Sequence, residues 1–231
     1  KSKIFNNIYI FNRNKFSEGA KYCKKKKFQY SSDGIKGVKK LIDKTDIIFD
    51  ATSAKSNTQI VSEIGKFLKN KYFINLTPSK IGEYIVPYIN KKKIPRIINL
   101  ITCGGQTSIP IIEEISQVLK KKLDYVELVS SISSKSAGAA TRENINEYII
   151  NTESAIKQLT KIKKTKVIIN INPSNPPVNM MNSLFFELKK PLSRKNYLKI
   201  SARIKYINKI IKSYIPNYNA KIFPQIEKKI L

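Results

Sequence analysis

A chain of 231 residues with 41% hydrophobic content can bury a sizeable core in one or two domains, which excludes wholesale disorder. Lys and Arg number 44 against 16 Asp and Glu, for a formal net charge of +28, and histidine is absent. Without histidine the chain is no Ser-His or Cys-His hydrolase and holds no histidine metal site; proton handling falls to carboxylates, Lys, Tyr, Cys or water.

Two cysteines without metal-type spacing argue against a disulfide framework or a zinc site, and a reducing cytoplasm is the expected setting. No apolar run approaches the roughly 20 residues of a membrane helix. The opening stretch KSKIFNNIYIF lacks the pattern of a secretory signal. The positive charge predicts non-specific binding to polyanions at low salt. The lysines are spread along a chain rich in Ile and Asn, which favours a compositional origin over specific nucleic-acid recognition.

In chain order, residues 8–11 (IYIF) read as a short buried strand and residues 17–27 as a basic helix capped by Ser17. Cys23 reads as an incidental residue of that helix. Residues 46–52 (DIIFDAT) are an apolar run ending in polar groups, as strands that feed a ligand crevice do. Residues 56–70 place Ile60, Val61, Ile64, Phe67 and Leu68 on one helical face. Residues 72–77 and 96–102 read as further strands, the first stopped by Pro78. Strands alternating with helices in short units imply an α/β fold with a parallel sheet.

The second half changes character. Residues 107–121 predict a helix with Pro110 in its first turn, where the missing N–H costs nothing. Residues 124–134 alternate as a strand with one wet face does. A long helix is predicted over 141–162, strands over 166–172 and 182–188, a basic amphipathic helix over 193–215 and a last strand over 220–231. Long helices between strands imply an α+β domain with a mixed or antiparallel sheet. The boundary is placed between residues 1–102 and 103–231.

Within NLITCGGQTSIP (residues 99–110), Cys103 falls where a strand turns into a helix, followed by Gly104 and Gly105. Glycines let backbone approach a ligand. The free N–H groups of a helix start would stabilise a thiolate and a developing oxyanion. A small buried hydrophobe at a strand end is the alternative. The segment SSKSAGAATR (residues 133–142) offers backbone N–H groups and Arg142 to a phosphate, or caps a helix.

Together, NLITCGGQTSIP, SSISSKSAGAATRENINEY, IININPSNPPVNMMNS and DIIFDATSA…INLTPSKIGEYIVPYIN resemble the acylating acetaldehyde dehydrogenases, coenzyme A-dependent enzymes that work with 4-hydroxy-2-oxovalerate aldolase. The likeness runs in order over nearly the whole chain. It implies an incomplete Rossmann-type dinucleotide-binding domain followed by a catalytic α+β domain with dimer contacts. It implies Cys103 as the nucleophile, NAD as cofactor, coenzyme A as co-substrate, no metal, and the aldolase as partner of a homodimer. The nicotinamide-cofactor loop maps onto Ser136, Ala137, Gly138, Ala139, Ala140, Thr141, Arg142, Glu143 and Asn144.

Five departures accompany the resemblance. No G-x-G-x-x-G occurs, so the chain is expected to open at the family's second strand. Arg13 and Asn14 stand where a ribose-binding acidic residue is expected. Asn182 aligns with an aspartate proposed as general base, and an amide orients a water or thiol without taking its proton. Ala139 and Ala140 replace a Pro-Gly, and the sequence ends before a terminal segment of the family. These departures fit a fragment, a split polypeptide or a non-catalytic remnant that keeps partner binding.

Overall fold

The computed structural model describes residues 4–90, 94–221 and 223–227. Strand β1 (Tyr9–Phe11) leads through Ser17, whose hydroxyl accepts from Ala20 N–H, into α1 (Glu18–Lys25). Two elements absent from the sequence reading follow, β2 (Gln29–Ser31) and α2 (Ile35–Leu41). Next come β3 (Ile47–Asp50), α3 (Ala54–Ile64), β4 (Tyr72–Asn75), the two-residue β5 (Glu83–Tyr84) and β6 (Ile97–Asn99). Ser53 caps α3 through Ser56 N–H.

All pairings in this half are parallel. β1 and β2 form one sheet, and β3, β4, β6 and β5 form another in that order. The parallel sheet is thus in two pieces, with β1 and β3 in separate ladders. Phe73, Ile64, Ile42 and Leu68 pack beneath the second piece.

The second half begins with α4 (Cys103–Leu119), then β7 (Leu123–Ser133), α5 (Ala139–Glu143), α6 (Ile145–Thr160), β8 (Lys164–Asn172), β9 (Met181–Leu188) and α7 (Arg194–Lys212). β7 is central, parallel to β8 and antiparallel to β9, so the sheet is mixed. Its inner face, with Val126, Leu128, Ile132 and Val167, packs on Ile109 and Ile112 of α4 and on Ala155 and Ile156 of α6. The next turns of α4, at Ile115 and Leu119, meet Ile200 and Ile204 of α7. Burying each such side chain stabilises by about 1.5–3 kcal/mol, and α4 contributes buried side chains to both clusters. Buried Glu114 of α4 is held by the Tyr88 hydroxyl at 2.6 Å and by Arg203 at 3.2 Å.

Four expectations need correction. The strand expected to be buried at residues 8–11 is β1, and Ile8 and Tyr9 lie exposed. The helix predicted from residue 107 starts four residues earlier, because Thr102 is its N-cap, and this places Pro110 in the helix interior. There Pro110 forfeits an intrahelical hydrogen bond, a cost of about 3 kcal/mol, against which stands the burial of its ring. The helix predicted over 141–162 is broken at Asn144, whose φ of −122° and ψ of 35° separate α5 from α6. The described residues of the predicted last strand, 220–221 and 223–227, form no strand, and the rest of it lies outside the described residues. No helix among the described residues is long and apolar enough to cross a membrane.

Candidate active site around Cys103

The three parallel strands end in register on Asp50, Asn75 and Asn99. Side-chain amides and a carboxylate stand side by side at the carboxyl edge of the sheet, all buried. They satisfy one another through a continuous network. Asp50 accepts from Asn57 Nδ2 at 2.6 Å, Asn57 Oδ1 accepts from Ser79 Oγ at 2.6 Å, and Ser79 Oγ accepts from Asn75 Nδ2 at 2.7 Å. A fully paired polar network inside a core fixes one arrangement of its members.

The far end of this network holds the nucleophile's backbone. Ile101, two residues before Cys103, has φ of +62°. A β-branched residue in that region is strained by about 1–3 kcal/mol. Asn99 Oδ1 accepts from Ile101 N–H at 2.7 Å, and Asn151 Nδ2 of α6 donates to Ile101 C=O at 3.0 Å. Both polar groups of the strained residue are therefore gripped, and the turn delivers Thr102 and Cys103 onto the start of α4. Replacing Asn151 by Leu should lower unfolding stability by about 1–3 kcal/mol in urea, because Ile101 C=O is left buried without that donor. Alkylation of Cys103 by iodoacetamide, followed by intact mass, should change with it as the turn relaxes.

Cys103 is exposed, at the first position of the 17-residue α4. The two N–H groups that follow it are not free, contrary to the expectation of an open helix start. Gly105 N–H donates to Thr102 Oγ1 at 3.1 Å, and Gly104 N–H donates to the Tyr148 phenol oxygen at 3.1 Å. The same phenol oxygen lies 4.0 Å from Cys103 Sγ. Both glycines are required by close approach. A Cβ on Gly104 would overlap the Tyr148 and Ser130 hydroxyl oxygens, and one on Gly105 would come within 2.7 Å of Ile101 Cγ2. Burial, and then the neighbouring Cys103, pushes the Tyr148 phenol up to about 12, so it is protonated at neutral pH.

Asn182 lies opposite Ser130 in the β7–β9 ladder and reaches the same helix one turn on. Its Nδ2 donates to Thr107 Oγ1 at 2.6 Å, and that hydroxyl donates to the Cys103 and Gly104 carbonyls at 2.9 and 3.1 Å. Asn182 Oδ1 is buried with no hydrogen-bond partner among the described residues. Tyr218, whose phenol burial pushes above its ordinary value, donates to Thr107 C=O at 3.0 Å.

The loop from Ser136 to Asn144 connects β7 to α6, so its end lies one helical turn from Tyr148. Ala139, Ala140, Thr141, Arg142 and Glu143 form the short α5, with Gly138 exposed and Ala137 buried before it. Arg142 folds back on the loop, donating to Ala137 C=O, Ser134 C=O and Ser134 Oγ at 3.1, 3.1 and 2.8 Å. It shapes the turn, and a phosphate would meet only what those bonds leave over. Asn144 Oδ1 accepts from Ala54 N–H at the start of α3 at 3.3 Å, tying the loop to the parallel sheet.

These surroundings test the fit of a dinucleotide. At the nicotinamide end, the 136–144 loop is anchored to α3 through Asn144 and leads into α6, whose Tyr148 phenol lies 4.0 Å from the thiol. The pyrophosphate end has no glycine-rich turn in this sequence. Arg13, which donates to Ser56 Oγ at 3.1 Å, and Asn14 leave no carboxylate where a ribose-gripping one is expected, and the nearby Asp50 is committed to Thr52 N–H and Asn57.

Tyr148, Thr107, Tyr218 and Asn151 were not singled out from the sequence. The spacing of Thr107 four residues after Cys103 marks it once the helix start is known, whereas Tyr148 and Asn151 reach the site only through the packing of α6 on α4.

A family model described as prokaryotic acetaldehyde dehydrogenase, dimerisation, matches residues 103–231. An acetaldehyde dehydrogenase of Burkholderia pseudomallei is 37% identical over 96% of this chain and 73% of its own length. One from Geobacillus stearothermophilus is 37% identical over 90% of this chain and 69% of its own. Among solved structures, aspartate semialdehyde dehydrogenase II from Vibrio cholerae aligns with a TM-score of 0.56 at 9% identity, covering 87% of this chain and 78% of that one. A probable aspartate-semialdehyde dehydrogenase from Pseudomonas aeruginosa gives 0.54 at 8% identity, covering 87% and 79%. Those two likenesses are of fold. Identity of 37% across nearly the whole chain, with the match over its second half, shows that the chain belongs to the prokaryotic acetaldehyde dehydrogenase family.

Proposed function

We propose that this chain is a coenzyme A-acylating acetaldehyde dehydrogenase that uses NAD, with residues 1–102 as the partial dinucleotide-binding domain and residues 103–231 as the catalytic and dimerisation domain. The observation that carries the reading is an exposed thiol at the first position of α4, on a turn whose strain is held by Asn99 and Asn151, 4.0 Å from the phenol of Tyr148, which itself lies one helical turn from the end of the 136–144 loop. The Cys103 sulfur attacks the aldehyde carbonyl carbon, a C–S bond forms, and the π electron pair moves to oxygen. When bound, the nicotinamide cofactor supplies the hydride acceptor. Loss of hydride leaves a thioester on Cys103, and the coenzyme A thiol takes the acetyl group and releases the sulfur. A thioester suits this exchange because it stays reactive toward a second thiol.

Asn182 holds Thr107, which in turn bonds the Cys103 and Gly104 carbonyls, and an amide at this position cannot remove the proton of an incoming thiol. Slow turnover follows. Residues 103–231 are read as the homodimer face, with a 4-hydroxy-2-oxovalerate aldolase as partner and the cytoplasm as location. The test is NADH absorbance on mixing the chain with acetaldehyde, NAD and coenzyme A. A cofactor-dependent rate supports the reading. No rate with intact association with the aldolase on gel filtration supports instead a non-catalytic remnant, the reading that Asn182 favours.

A further inference from the structure

We infer that the Tyr148 phenol is the hydrogen-bond donor to the oxygen of the adduct formed on Cys103, standing where an open backbone amide was expected. The inference rests on Cys103 as the nucleophile. Gly104 N–H, the donor best placed by the helix start, already gives its proton to the Tyr148 oxygen. A substrate oxygen therefore does not meet that amide directly. What faces the sulfur is the phenol, and with its oxygen engaged as acceptor it has one proton left to give.

The spacing separates two roles for that proton. At 4.0 Å the phenol oxygen stands at the outer limit of a hydrogen bond to sulfur. Rotation about the new C–S bond can bring an oxygen carried on that carbon into the gap, within hydrogen-bond reach of the phenol. The bond therefore strengthens as the carbonyl becomes an alkoxide, which is the condition for lowering the barrier. The amide behind the phenol adds to the effect, since an O–H whose oxygen accepts a hydrogen bond is a stronger donor. The phenol is held in place: Tyr148 is only 4% exposed, Gly104 N–H binds its oxygen at 3.1 Å, and Gly104 has no Cβ to push the ring away. Because burial keeps the phenol protonated, it serves as a donor and not as the missing base.

Two electrophiles distinguish this role from a purely structural one. p-Nitrophenyl acetate acylates a thiol through an oxyanion, with the C–S bond formed, the π pair on oxygen, and then p-nitrophenolate expelled. Iodoacetamide alkylates sulfur by direct displacement of iodide with no oxyanion. Tyr148→Phe should slow the p-nitrophenolate burst about 100-fold while alkylation of Cys103, read by intact mass, changes by less than about threefold. Equal slowing of both reactions, or no change in either, overturns the inference. Cys103→Ser run beside it keeps the two readings apart, since a burst that survives in that variant removes the nucleophile itself. Far-UV circular dichroism shows whether Tyr148→Phe is folded; Gly104→Ala, whose Cβ would displace the phenol, repeats the test and should show the same selective slowing, and equal slowing of both reactions there also overturns the inference.

Discussion

Replacing Cys103 by Ser should remove acetaldehyde-dependent NADH formation by a factor on the order of 10⁴ or more, the scale on which covalent catalysis fails when its nucleophile is lost. The loss is chemical. Serine is a good residue at the first turn of a helix, Cys103 is exposed, and its neighbours Thr102 and Gly105 keep their own capping bond. Urea unfolding of the variant should stay within about 0.5 kcal/mol of the parent, as for other surface exchanges. What changes is the acidity and softness of the attacking atom. A hydroxyl needs a base to become nucleophilic, and the neighbouring side chains offer an amide at Asn182 and a protonated phenol at Tyr148. The oxoester that Ser would form is also a poorer acyl donor to a thiol than a thioester is. A variant that keeps more than about one hundredth of the parent rate, measured by NADH absorbance, would end the covalent mechanism.

The architecture was legible where periodicity and local chemistry agree. The runs IIFD, YFIN and IIN announced parallel strands, and their final residues, Asp50, Asn75 and Asn99, form the buried register that supports the site. The place of Cys103 at a strand-to-helix turn was legible from its setting between an apolar run and Gly-Gly. The start of α4 was not, although Thr102 bonding to Gly105 is a local cap, because Gly-Gly reads as a breaker until Tyr148 and Ile101 are seen to occupy the space a Cβ would take. β2 and β5, of three and two residues, carry too little pattern to stand out, and they exist as strands through their neighbours β1 and β6. The break between α5 and α6 has a tertiary cause, since the Asn144 side chain is drawn to Ala54 on the other half of the chain. The packing of Arg142 is of the same kind. A guanidinium in a polar loop suggests an anion in sequence, and here much of its donor capacity goes to the loop's own oxygens.

Asn182→Asp should raise the rate of acetaldehyde oxidation about 100-fold, toward the lower end of what a positioned general base contributes. The argument turns on how the site would accommodate a carboxylate. Asn182 now donates through Nδ2 to Thr107 Oγ1, while Thr107 gives its own proton to the Cys103 and Gly104 carbonyls. An Asp at this position has no proton to donate, so Thr107 must turn its hydroxyl toward the carboxylate and release those carbonyls. The second carboxylate oxygen takes the place of Oδ1, buried without a partner. Desolvation there disfavours the charged form and raises the carboxyl above the ordinary Asp range, which moves it toward the operating pH and improves it as a base. The same burial makes the charged form costly, and the variant should lose about 1–3 kcal/mol of unfolding stability at neutral pH. The sign of the pH dependence follows. Activity of the variant should fall as pH falls through the raised carboxyl value, because protonation removes the base, and the parent, with an amide, should lack that limb. Unfolding stability should move the other way, with the loss relieved as pH drops and the carboxyl becomes neutral. A faster variant with a new acidic limb establishes proton removal as the step that Asn182 slows. An unchanged rate with unchanged profile would place the bottleneck at the dinucleotide end, where Arg13 and Asn14 stand in place of the expected ribose-binding carboxylate.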